Sequence, residues 1–343
     1  MEPVAALRRI AYLLEATQAP SYKVQAFRRA AEAVDSVGPA RLAQLHRADQ
    51  LQRLDGVGAT TARVVAEALG GSVPGYLHHL EQTARPEPEG RAAQLRAALR
   101  GDCHGHTDWS DGASPLHEMA QAARQLGHQY WTVTDHSPRL TVAHGLDAER
   151  LARQLDVVAA CNEELALFRI LTGIEVDILP DGTLDQSQEL LGRLDVVVAS
   201  AHSQLRMDAA AMTRRLVTAV RNPHTDILGH CTGRIVVGRG RPPSTFDTHA
   251  VFDACAATGT AVEVNSRPER RDPPAELLRV AVEAGCLLAV DTDAHAPGQL
   301  EWLGFGCTLA AEAGANPERV VNAWPLHELL AWTAGHGAGG YRA

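Results

Sequence analysis

Residues 102–107 read Asp-Cys-His-Gly-His-Thr, and residues 292–295 read Thr-Asp-Ala-His. Both stretches end strand-like runs, and each carries metal-binding residue types at positions i and i+2: His104 with His106, and Asp293 with His295. Side chains two residues apart on a β-strand point to the same face of the sheet. Each pair can therefore reach into one shared pocket.

The same residue types end further strand-like runs along the chain. Six histidines and three carboxylates stand at such positions: His104, His106, Asp111, His136, Glu175, His202, His230, Asp293 and His295. Imidazole and carboxylate are suitable ligands for zinc, iron and manganese, and the sequence does not choose among these metals. The pattern indicates a multi-metal centre. The ten other histidines lack this setting and are expected to have ordinary structural roles.

Beyond residue 100, strand-like and helix-like segments alternate regularly. Seven strands are predicted, over residues 102–107, 130–136, 170–178, 195–202, 226–230, 261–265 and 286–293. Repeated β/α units imply a parallel sheet, and polar residues at the carboxyl ends of its strands imply a barrel with its active site on that face. The fold class is therefore α/β.

Composition is that of a soluble globular protein, with 343 residues of which 45% are apolar and 21% charged. No stretch reaches the roughly 18 uninterrupted apolar residues of a membrane span, and the N-terminus lacks a signal-peptide pattern. A cytoplasmic location is therefore expected. The six cysteines include no C-x-x-C pair, which argues against a cysteine zinc site.

The first hundred residues differ in charge from the remainder. They hold 13 Lys or Arg and 10 Asp or Glu, a balance of +3, whereas the rest holds 19 and 31, a balance of −12. A basic module attached to an acidic body favours an anionic partner. Chance variation between two ordinary domains explains the difference equally well.

Apolar spacing predicts helices over residues 3–69, interrupted by a glycine turn at residues 54–58, Leu-Asp-Gly-Val-Gly. This is a helix-hairpin-helix signature, in which Gly56 and Gly58 would leave amides at a helix N-terminus free to bind a DNA phosphate. The predicted organisation is a small all-α domain over residues 1–76, a linker with a short helix over 77–100, and a barrel domain over 101–343. The glycine-rich tail, 334–343, is expected to be mobile.

The motifs of the barrel resemble those of the polymerase and histidinol phosphatase (PHP) metallo-phosphoesterases. The matching strings are Asp102-Cys-His-Gly-His-Thr107, Trp109-Ser-Asp-Gly112, Thr134-Asp-His136, Gly173-Ile-Glu-Val-Asp-Ile178, Ala199-Ser-Ala-His-Ser203, Ile227-Leu-Gly-His-Cys-Thr-Gly-Arg234 and Thr292-Asp-Ala-His295. They cover nearly all of residues 101–300 and are most similar to the PHP domain attached to bacterial family X DNA polymerases. The resemblance implies a distorted, TIM-like (β/α)7 barrel that holds two to three divalent ions.

The resemblance also implies an assignment of ligands, and no ligand of the family is missing. His104, His106, Glu175 and Asp293 would hold the first metal; Glu175, His202 and His230 the second; Asp111, His136 and His295 the third. The implied reaction is attack of a metal-bound hydroxide on a phosphate ester, with His104, His106, Glu175, His202 and Asp293 as the catalytic set. Three divalent ions, three carboxylates and one hydroxide leave about +2 to attract a phosphate.

Two arginines follow the fifth and sixth predicted strands on the same side of the barrel. Arg234 and Arg270 are candidates for binding the phosphate oxygens bidentately. An ordinary role as a surface arginine is equally open for each of them.

Residues 1–75 resemble the small helical N-terminal domain of family X polymerases, at Tyr22-Lys-Val-Gln-Ala-Phe-Arg-Arg-Ala-Ala31 and Leu54-Asp-Gly-Val-Gly58. This resemblance implies binding to DNA near an end or gap. Val64 stands where lyase-active relatives carry their Schiff-base lysine, so lyase activity by that route is not expected. Only some 25 residues separate the two parts, too few for a polymerase palm and fingers.

These observations predict a metal-dependent phosphoesterase that processes DNA ends in repair, as a 3′-5′ exonuclease or a 3′-phosphatase. One alternative is a small-molecule phosphatase acting on histidinol phosphate or a nucleotide, with the helical domain as a lid or dimer contact. Another is a non-catalytic DNA-binding scaffold. The sequence does not give the oligomeric state.

Overall fold

The computed structural model describes residues 1–83 and 88–337, which form two compact units on either side of the gap. Residues 84–87 of the expected linker and residues 338–343 of the expected mobile tail lie outside the described residues.

Residues 1–83 form an all-helical unit. Its four helices are α1 (Pro3–Ala16), α2 (Ser21–Arg47), α3 (Ala59–Leu69) and α4 (Gly75–Gln82). Ile10, Phe27 and Val64 lie in one apolar core between them. Helix α4 spans residue 77, where the linker was expected to start, because Leu77 is buried in the same core.

The glycine turn lies directly before α3. Gly56 has a φ of +81°, a backbone conformation that favours glycine, and α3 begins at Ala59, immediately after Gly58. The segment before the turn is one turn of 3-10 helix, Leu51–Arg53, and α2 ends upstream of it at Arg47. Val57 packs into the helical core and thereby anchors the turn.

Residues 88–337 form a seven-stranded sheet in which every strand pairs in parallel with the next along the chain. The strands are β1 (Gly101–Asp102), β2 (Tyr130–Val133), β3 (Arg169–Asp177), β4 (Val196–Ser200), β5 (Ile227–Leu228), β6 (Ala261–Asn265) and β7 (Leu288–Asp291). The predicted parallel TIM-like barrel is confirmed. Most observed strands end before the predicted segments do, and most of the histidines in those segments lie in the loops that follow the strands.

Helices surround the sheet in the order expected for repeated β/α units. Those described are α5 (Gly90–Ala98), α6 (Leu116–Gln125), α7 (Ala148–Glu164), α8 (Gln188–Leu191), α9 (Ala209–Val220), α10 (Thr248–Thr258), α11 (Ala275–Glu283), α12 (Leu303–Glu312) and α13 (Leu326–Gly337). Ile174 and Val176 of β3 pack in the same core as Phe252 of α10. Among the residues that the structure describes, no helix has the length and apolarity needed to cross a membrane.

The barrel closes between β7 and β1 through side chains and one isolated parallel bridge, Gly105 with Ala294. The Asn322 amide group, fully buried, donates to the carbonyl oxygens of Gly101 at 3.1 Å and Val290 at 2.6 Å, and its Oδ1 accepts the Val290 amide at 3.0 Å. Asp291 Oδ1 accepts the amide of Cys103 at 2.7 Å. Side-chain hydrogen bonds therefore hold this seam together.

Replacement of Asn322 by Leu should lower the free energy of unfolding by about 3 kcal/mol, because buried backbone groups of β1 and β7 lose their partner. Urea unfolding followed by tryptophan fluorescence measures the change. Gln121→Ala, at an exposed position on α6, is the control and should change stability by less than about 0.5 kcal/mol. Equal stability of the two variants would contradict this role for Asn322.

Candidate metal centre

All nine residues singled out in the sequence lie at the carboxyl end of the barrel. His104 and His106 follow β1, His136 follows β2, Glu175 lies on β3, and His202 and His230 follow β4 and β5. Asp293 and His295 follow β7, and Asp111 lies in the loop after β1. Gly105, between the first two histidines, is required there, because a Cβ atom would lie 2.7 Å from Trp131 Nε1.

Glu175 is the centre of the cluster and is 1% exposed. Its Oε1 lies 3.1 Å from His202 Nε2 and 2.8 Å from His230 Nε2. Its Oε2 lies 3.4 Å from His104 Nε2, 3.5 Å from His106 Nε2 and 2.9 Å from His136 Nδ1. One buried carboxylate thus contacts five imidazoles, which come from four different loops.

The two remaining carboxylates complete the cluster; Asp293 is buried, whereas Asp111 is exposed to solvent. Asp111 Oδ1 lies 3.5 Å from His136 Nε2 and 3.4 Å from His295 Nε2. Asp293 Oδ1 lies 3.4 Å from His106 Nε2 and 3.5 Å from His295 Nδ1. All nine side chains therefore form one continuous group.

The spacing of the donor atoms is compatible with a divalent cation bound between them. Glu175 Oε2 is buried and accepts no hydrogen bond from any described residue, although three imidazole nitrogens lie within 3.5 Å of it. Ligands at about 2.1 Å from a tetrahedral ion are about 3.4 Å from one another, close to the spacing observed. Three groups of these residues converge closely enough to share an ion: His106, Asp111, His136 and His295; His104, His106 and Glu175; His136, Glu175 and His202.

Electrostatics keep the carboxylates of the cluster ionised. Burial alone would raise the pKa of Glu175, but His202, His136 and His104 hold that pKa well below its usual range. Burial, His295 and His136 lower the pKa of His106, so that its imidazole is neutral and has a lone pair to offer. Despite burial, Glu175 raises the pKa of His202 to about 9, so a cation would compete there with a proton.

Two buried carboxylates that the sequence analysis missed hold the histidines in place. Glu263 of β6 is fully buried; its Oε1 lies 2.6 Å from His104 Nδ1 and its Oε2 accepts the backbone amide of His230. Asp177 Oδ1 lies 3.3 Å from His202 Nδ1. Such contacts fix the orientation and tautomer of a ligating histidine. The signal that could have shown Glu263 is a charge within the apolar run 261–264, Ala-Val-Glu-Val.

The two candidate phosphate-binding arginines separate in the structure. Arg270 lines the pocket beside the cluster, with its Nε 3.1 Å from Asp293 Oδ2. Arg234 is not among the described residues that line this pocket; its guanidinium donates to the carbonyl oxygens of Arg270 and Arg271. The phosphate contact of Arg234 therefore stays a prediction. Arg267, the second arginine of the pocket, lies 3.0 Å from His295 Nδ1.

A parallel β/α barrel with a cluster of imidazoles and carboxylates at the carboxyl ends of its strands defines a metal-dependent barrel enzyme. A family model described as the PHP domain matches residues 102–233, and one described as a helix-hairpin-helix domain matches residues 1–71. The chain belongs to the PHP family, whose members are metal-dependent phosphoesterases.

The relatives of this chain include a protein named a DNA polymerase and exonuclease and proteins named probable phosphatases. The chain is 42% identical over 234 residues to the DNA polymerase/3′-5′ exonuclease PolX of Bacillus subtilis, which covers 68% of this chain and 41% of that protein. It is 30% identical over 214 residues to a protein of Caldanaerobacter subterraneus named a probable phosphatase, covering 59% of this chain and 78% of that protein. The chain thus spans less than half the length of the first relative and most of the second.

Among solved structures, the histidinol phosphate phosphatase of Lactococcus lactis aligns with a TM-score of 0.44 and 17% identity, over 64% of this chain and 95% of that one.

Glu263→Gln should weaken binding of zinc or manganese about 10- to 100-fold, because His104 loses the carboxylate that orients it. Competition with a chromogenic chelator measures the affinity. Glu189→Gln, at an exposed position on α8, is the matched control and should leave it unchanged. Indistinguishable affinities for the two variants would remove Glu263 from this role.

Proposed function

We propose that this protein is a metal-dependent phosphoesterase that hydrolyses phosphate esters at DNA ends, as a 3′-5′ exonuclease or a 3′-phosphatase in DNA repair. The observation that carries the hydrolytic part is the buried Glu175 carboxylate with five imidazoles around it, beside a pocket lined by Arg267 and Arg270. The pocket has a volume of about 370 Å³.

The nine clustered residues would hold two to three divalent ions, whether zinc, manganese or iron. When bound, such ions activate water and neutralise the charge of a phosphate. Arg267 and Arg270 would donate N–H groups to the non-bridging phosphate oxygens. In the reaction, water oxygen bonds to phosphorus, the bond from phosphorus to the ester oxygen breaks, and a proton passes to the departing alcohol.

The helical unit favours DNA as the substrate that contains this phosphate. The chain matches a helix-hairpin-helix model there, and Gly58 precedes α3, so amides of its first turn are available to an anion. One relative is named a 3′-5′ exonuclease. Together these features favour a phosphate within or at the end of a DNA strand as the substrate.

A small-molecule phosphatase is the second candidate. The relative named a probable phosphatase is covered over 78% of its length, so its match supports a phosphatase activity. A non-catalytic scaffold is disfavoured because all nine clustered residues are in place.

His202→Ala and Asp293→Ala should each abolish hydrolysis of a phosphate ester while leaving the fold intact, and a strong chelator should do the same to the unmodified protein. Turnover of 3′-phosphorylated oligonucleotides and of glycerol 2-phosphate, with manganese or zinc supplied, measures the loss. His249→Ala, at an exposed position on α10, is the control. Full activity of both cluster variants would refute the assigned chemistry.

Gly58→Glu should weaken DNA binding by about tenfold relative to Gly58→Gln, because a carboxylate before α3 repels a phosphate. Glutamate and glutamine side chains have nearly the same shape, and a Cβ atom at this position meets no atom within 4 Å. Both variants should therefore fold. Fluorescence anisotropy with gapped DNA at several salt concentrations provides the affinities. Equal affinities would remove this helix terminus from the DNA-binding surface.

A further inference from the structure

A short β-hairpin stands at the mouth of the metal centre. Ile235 and Arg241 form its antiparallel bridge, with amide-to-carbonyl distances of 2.9 Å and 2.8 Å. The amide of Val236 donates to the carbonyl oxygen of Glu269 at 2.7 Å. The hairpin is thus hydrogen-bonded to the loop that carries Arg267 and Arg270, and the two together form one wall of the pocket.

This wall presents apolar surface to a pocket that is otherwise built for an anion. Ile235 and Val237 line the cavity together with Leu140 and the metal-binding residues, and Val237 is 47% exposed. Aliphatic side chains offer a phosphate ion neither positive charge nor hydrogen-bond donors. The cavity volume, about 370 Å³, falls within the range of about 300 to 1,000 Å³ that is typical of sites for small organic molecules. The wall is therefore placed to contact the organic part of an ester.

Glu269 adds a polar acceptor to the same wall. It lines the cavity, and its Oε2 is buried without a hydrogen-bond partner among the described residues, with Arg267 Nε 3.7 Å away. A buried carboxylate oxygen is costly unless a donor satisfies it. Arg267 pairs with this oxygen by charge but donates no hydrogen bond to it, so the oxygen can still accept one. Aliphatic side chains beside such an acceptor suit a flat ring that carries an N–H donor.

We propose that the wall formed by Ile235, Val237 and Glu269 binds the nucleobase of the nucleotide whose phosphate lies at the metal centre. The aliphatic side chains contact the face of the ring, and the carboxylate accepts from an amino group such as that of adenine. This inference rests on the proposed phosphoesterase function and adds the residues that bind the base of its nucleotide substrate.

The test compares two secondary phosphate esters that differ in the base. 2′-Deoxyadenosine 3′-monophosphate carries the ring and the amino group, whereas glycerol 2-phosphate carries neither. Val237→Ser should lower kcat/KM about tenfold for the nucleotide and leave that for glycerol 2-phosphate unchanged. Val236→Ser is the matched control, because Val236 is 50% exposed and is not among the described residues that line the pocket.

Selective loss with Val237→Ser, but not with Val236→Ser, supports the inference. Equal effects on the two esters, or no effect on either, would overturn it while the proposed function stands. If the unmodified protein hydrolyses neither ester with manganese or zinc, both the proposed function and this inference fail. Metal content of every variant, measured alongside, should match that of the unmodified protein.

Discussion

The buried carboxylate of Glu175 is the interaction on which the rest of the site depends. An ionised carboxylate with almost no solvent contact is destabilising unless charges or hydrogen bonds compensate it. Here five imidazole groups lie within 3.5 Å of its two oxygens. Four loops must therefore converge on one strand, and the parallel barrel accomplishes this because its strands all end on one face.

A second set of buried polar groups fixes that convergence. Glu263 and Asp177 hold the ring nitrogens of His104 and His202, and Asn322 joins β1 to β7 where the sheet lacks a full ladder. The first two set the directions in which histidine lone pairs point. Asn322 keeps the two i, i+2 pairs beside each other. Stability of the barrel and geometry of the site therefore depend on the same hydrogen-bond network.

Much of this arrangement was predictable from periodicity. Seven strands and the nine clustered residues were predicted from the sequence, because parallel strands bring their carboxyl ends together. Two features were not predicted. The charge of Glu263 is visible within an apolar strand, but its contact with His104 is not, and α4 extends the helical unit past residue 76. Both depend on tertiary packing, since the first joins β6 to the loop after β1 and the second follows from burial of Leu77 in the helical core.

The central claim is that one carboxylate organises histidines from across the barrel around divalent ions. Anomalous diffraction from crystals grown with manganese tests it most directly. The account predicts two or three peaks within about 2.3 Å of the oxygen and nitrogen atoms of the cluster, at least one of them on Glu175. Strong manganese binding in solution without any peak beside Glu175 would contradict it.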